Sequence, residues 1–60
     1  MILKVQAKET LYTIKENNYY EIISIIPYKT GSGYLVNILD EEKIIRGYCL
    51  SNFRGIVESK

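Results

Sequence analysis

Tyr19-Tyr20-Glu21-Ile22-Ile23-Ser24-Ile25-Ile26-Pro27 is the stretch that decides the fold of this 60-residue chain. β-Branched and aromatic residues dominate it, and these favour a pleated, half-buried strand. Pro27 ends the run, because its ring nitrogen has no hydrogen to give a ladder. A helix competes for the same residues, since Glu21 and Ser24 stand three apart and could share a polar stripe. Eight residues rich in Ile and stopped by Pro favour the strand.

Upstream of this run, Lys15-Glu16-Asn17-Asn18 is a turn signal, because Asn tolerates positive φ and bonds its own backbone. Residues 8–18 are mixed and polar, anchored only by Leu11, Tyr12 and Ile14. Residues 1–7 alternate, with Leu3, Val5 and Ala7 on one face, and read as a half-buried strand. Downstream, residues 27–33 form a loop, Tyr34 to Leu39 a strand, and Asp40-Glu41-Glu42-Lys43 a polar hairpin connection. Ile44 to Leu50 returns antiparallel, with Gly47 marking a bulge or a close backbone approach. Ser51-Asn52-Phe53 reads as a tight turn before a last short strand, Arg54 to Glu58.

Five strands without a convincing amphipathic helix make an all-β protein. Closing so small a sheet on itself protects its edges, so residues 1–60 are expected to form one domain, a small, five-stranded, strongly bent barrel or sandwich. The expected core takes Leu3, Val5, Ala7, Leu11, Ile14, Tyr20 and Ile22 from the first half. Ile25, Val36, Ile38, Ile45, Cys49 and Ile56 complete it.

Composition narrows the functions open to such an object. Eight Lys/Arg against seven Asp/Glu leave a net charge of +1, too little for a strongly basic coat on nucleic acid. With no His and one Cys, neither a zinc site nor a disulfide framework is expected, nor any other cofactor. Acid–base catalysis lacks its usual groups: the only clustered acids, Asp40, Glu41 and Glu42, lie on a hairpin tip where solvation keeps them ordinary. Thr30-Gly31-Ser32-Gly33 lacks the Lys and the following helix of a phosphate loop, and Ser51 has no base partner. The chain is therefore expected not to be an enzyme. No apolar stretch suits a secretory signal or approaches the ~20 residues of a membrane span. With a single unpaired Cys49, the expectation is a cytoplasmic protein that does not engage membranes.

Gly33-Tyr34-Leu35-Val36, the charged hairpin, and Gly47-Tyr48-Cys49-Leu50-Ser51-Asn52-Phe53 resemble the C-terminal half of an SH3 domain. Leu11-x-Thr13-Ile14-Lys15-Glu16-Asn17, followed by Tyr20-Glu21-Ile22-Ile23, resembles the stretch that ends the RT loop and enters the second SH3 strand. The same order is similar to that of small SH3-like proteins of phages and Gram-positive bacteria. The resemblance spans residues 5–57 and implies an SH3-like small barrel. Its departures are informative. There is no Trp, Leu50 stands where the groove Pro would fall, and the loop before Asn18 is too short for an acidic cluster. A groove for proline-rich peptides is thus not expected.

Six Tyr remain to be placed. Tyr20 is expected in the core with its hydroxyl at the rim. Tyr12, Tyr19, Tyr28, Tyr34 and Tyr48 cannot all be buried in so small a shell, and exposed Tyr is enriched at binding hot spots. Half-buried rings that merely cover the barrel ends are the plainer reading of the same residues. The expected function is that of a protein-interaction module of phage or prophage type. Its expected contacts are Tyr28, Tyr34, Tyr48 and Phe53, with Arg46 and Arg54 as orienting charges. A second class, nucleic-acid binding by base stacking on the same face, is the alternative. A homodimer formed by edge-strand pairing through the first or last strand is the third.

Overall fold

The structure, a computed structural model, describes residues 2–59 and, among side chains, those of residues 2–58. Five strands form one antiparallel sheet: β1 (Ile2–Ala7), β2 (Tyr19–Pro27), β3 (Tyr34–Leu39), β4 (Ile45–Cys49) and β5 (Phe53–Ser59). Their order is β4-β3-β2-β1-β5, and a single 3₁₀ turn, Leu50–Asn52, links β4 to β5. Among the described residues no register joins β4 to β5. Among the described residues there is no α-helix, and no helix is long and apolar enough to cross a membrane.

β2 includes Pro27, which the sequence placed in the following loop. Tyr28 N–H donates to the Gly33 carbonyl at 3.2 Å, so bonding between β2 and β3 falls on alternate residues counted from that pair. Pro27 lies opposite Tyr34 at a position facing away from β3, where a missing N–H costs no ladder bond. The β3–β4 hairpin closes through Asp40 N–H to the Ile44 carbonyl (3.1 Å), with Lys43 in the left-handed region at φ 64°. β3 and β4 pair without interruption, so Gly47 does not mark a bulge. It marks a close approach: a Cβ there would sit 3.0 Å from both Asn37 Oδ1 and Leu35 Cδ1. The bulges lie elsewhere, between Ile22 and Ser24 on β2 and between Val5 and Gln6 against β5.

The core consists of Val5, Ala7, Ile14, Tyr20, Val36, Ile38 and Phe53, with Leu11, Ile22, Tyr48 and Leu50 partly buried against it. Five residues expected inside are instead exposed. Ile45 (57%) and Cys49 pair with Leu39 and Leu35, on the sheet face opposite to Val36 and Ile38. Leu3, Ile25 and Ile56 share the core face by register yet sit at its open margin, 38–49% exposed. Phe53, expected at the surface, is 4% exposed and faces Ala7.

β1 is an interior strand. Lys4–Gln6 are paired on one side with β2 and on the other with β5, so β1 has no free edge along that stretch.

Candidate functional site

Where β2 gives way to the loop before β3, Tyr28 is held from two sides. Its N–H bonds to Gly33, and its Oη lies 2.7 Å from Cys49 Sγ. Gly33 takes φ 115°, open to glycine and strained for other residues, and lies beside the Tyr28 ring: a Cβ added there would be 3.5 Å from a ring carbon. The strand-to-3₁₀ corner Cys49-Leu50-Ser51 faces this loop. Between them opens a cleft of about 420 Å³, lined by Tyr28, Ser32, Gly33, Tyr34, Cys49, Leu50 and Ser51. No charged side chain lines it. The hydrogen bond with the Cys49 thiol, followed by desolvation, raises the Tyr28 hydroxyl above its ordinary value, so the phenol is neutral at pH 7. Two aromatic walls, a thiol, an aliphatic side chain and hydroxyls suit a neutral, partly apolar ligand rather than an ion.

The six expected contact residues do not form one surface. Tyr28 and Tyr34 meet in the cleft, 38% and 47% exposed. Tyr48 is half-buried; its Oη lies 2.9 Å from Thr13 Oγ1 and accepts the Thr13 N–H at 3.3 Å. Its ring meets Phe53 edge-on, with centroids 6.2 Å apart and planes at 87°. Phe53, buried against Tyr48 and Ala7, offers no face to a partner in this conformation, which corrects its expected role. Arg46 is committed to Asp40 (3.2 Å) and Glu42 (2.9 Å), and Arg54 donates to Asn17 Oδ1 at 2.9 Å on the other side of the sheet order. The cleft instead takes in Leu50, which is not among the expected contacts.

The acidic hairpin differs most from expectation. Asp40 is 1% exposed, not solvated. One carboxylate oxygen accepts the N–H groups of Glu42 (2.9 Å) and Ile44 (3.0 Å), while the other faces Arg46. Burial pushes its pKa up, but the Ile44 N–H, the Thr13 hydroxyl, the Glu42 N–H and Arg46 outweigh that and hold it below its ordinary value. Next to it, Glu41 accepts from the Tyr20 hydroxyl (2.6 Å) and from Asn18 Nδ2 (3.0 Å), which lower its pKa. Tyr20 Oη also accepts the Lys15 N–H at 2.7 Å; burial and the bond to Glu41 raise the phenol. Glu41 N–H reaches the Thr13 carbonyl at 3.0 Å, so the whole knot fastens residues 13–18 to the hairpin. One signal for it was legible. Asp at the head of a turn bonds backbone N–H groups a few residues on. Among the described residues no group of three His, Cys, Asp or Glu side chains converges to hold a metal ion.

Comparison of the chain with protein-family models, with curated proteins and with solved structures returns no match.

Proposed function

We propose that the chain is a non-enzymatic protein-interaction module with an SH3-like small-barrel build, of phage or prophage type, which holds a neutral segment of a partner protein in the Tyr28–Tyr34 cleft. Two features support the SH3-like part. The strand order β4-β3-β2-β1-β5 fits it, and the 3₁₀ turn falls within the Gly47-to-Phe53 segment that carries the resemblance. The observation that carries the functional part is the lining itself. Tyr rings contribute large contact area with few rotatable bonds, and a pocket without Lys or Arg has nothing to grip a phosphate backbone. That absence favours a protein partner over nucleic acid.

The test replaces Tyr28 and Tyr34 together by Ala and compares capture of a partner from lysate with that by the unaltered protein, at low and high salt. Loss of capture with little change in thermal midpoint, and binding nearly indifferent to ionic strength, is the expected result. Undiminished capture by the double variant would remove the cleft from the binding surface. A steep fall of binding with salt would transfer the function to nucleic acid.

A further inference from the structure

The two ends of the sheet are not alike. β5 is blunted: Ile56 pairs with Val5 and Arg54 with Gln6, which leaves Gly55 unpaired between them at φ 48°. Such a bulge bends the edge out of line for a further strand. β4 has no such device. Its five residues pair with β3 in unbroken register, without Pro, Lys or bulge.

Backbone alternation tells which β4 groups are free. Asp40 N–H bonds Ile44 C=O, so the bonded pairs that follow are Ile38–Arg46 and Val36–Tyr48. Counting from Tyr28–Gly33 at the other side of β3 gives the same phase, since Leu35 and Asn37 then point to β2. The N–H and C=O groups of Ile45, Gly47 and Cys49 therefore point outward along the open edge. All three residues are exposed, Ile45 by 57%.

We infer that this edge pairs antiparallel with the β4 edge of a second copy, about a twofold axis at Gly47. The register follows from the free groups. Gly47 faces its counterpart, and Ile45 faces Cys49 of the other copy on both sides, so that all three outward residues are used. Two bonds for each facing pair give about six inter-strand hydrogen bonds. The same register brings no like charges together. Arg46, the only charged residue of β4, falls opposite the neutral Tyr48 of the other copy rather than opposite its own counterpart. On the outer face Ile45 gains an apolar neighbour in the Cys49 side chain. A short edge buries little area, so the dimer is weak and its population depends on concentration.

Sedimentation over a concentration series tests this with the full chain. The unaltered protein should move from monomer toward dimer, with concentration-dependent amide shifts at Ile45, Gly47 and Cys49. Ile45→Lys, at an exposed site outside the cleft, should weaken association at least about tenfold while leaving the circular dichroism spectrum unchanged. Cys49→Pro is the second variant: Cys49 has φ −62°, which a proline ring accepts, and the N–H it removes is one of the outward three. It too should remain monomeric. A chain that stays monomeric at every concentration would overturn the inference. So would association that survives both substitutions, or shifts confined to β5.

Discussion

β2 carries large apolar residues along its whole length and meets two fates. Its first part, Tyr19–Glu21, pairs with β1, and Ile22 passes to β3; Tyr20 is buried there and ties its hydroxyl to Glu41 and Lys15. Its second part, after the break between Ile22 and Ser24, has β3 alone for a neighbour, and Ile23, Ile25 and Ile26 are 38–49% exposed. An Ile is thus buried or exposed according to what lies across from it, not according to the strand it belongs to.

Substitutions can break that contrast, beginning with the largest. Phe53→Ala removes a buried ring from the packed part and is expected to cost about 3–5 kcal/mol, enough to unfold much of the population of so small a protein. Denaturant titration measures it. Ile38→Ala, opposite Ile22, should cost about 2–5 kcal/mol by the same assay. Tyr20→Phe keeps the ring and deletes the hydroxyl, leaving the Lys15 N–H and one Glu41 oxygen without that partner, for a loss of about 1–3 kcal/mol. Ile26→Ser, in the exposed part, should stay within about 0.5 kcal/mol of the unaltered protein. A loss at Ile26 as large as that at Tyr20 would show that the two halves of β2 are equally covered in solution.

The pH dependence sharpens the same distinction, because the titrating knot belongs to the packed part. Asp40 and Glu41 are held below their ordinary values when folded. The stability they contribute is complete above the usual carboxylate range and is lost as pH falls through those depressed values. Tyr20 is raised, so its contribution is complete below about 10 and disappears as pH climbs through its folded value. Thermal midpoints across pH should therefore form a plateau with an acid and an alkaline fall. Tyr20→Phe should reduce both, since it removes the phenol and one donor to Glu41.

Much of the fold was legible because it is local. Residues 19–26 declared a strand by residue type, and the connections announced themselves through Asn17-Asn18, Gly31, Gly33 and Asp40. Legibility ended where a residue's fate depends on distant chain. Asp40 reads as a solvated turn acid until Thr13 and Arg46 are brought beside it. Phe53 reads as part of a turn until β5 places it opposite Ala7. Ile45 and Cys49 alternate correctly, but which face of β4 meets the core is set by pairing with β3. In the candidate site, Tyr28 and Tyr34 were visible as surplus rings. Their convergence with Leu50 was not, since it joins two corners of the chain separated by β3 and β4.

The pairing of β1 with β5 has a kinetic consequence. β2, β3 and β4 follow one another through short connections, whereas Leu3 meets Glu58 only after nearly the whole polypeptide has looped back. Closing that loop has the greatest entropic barrier of any contact in the sheet, so the three-strand meander should assemble first and the β1–β5 seam last. Substitutions in the seam should then hasten unfolding and leave the folding rate nearly untouched.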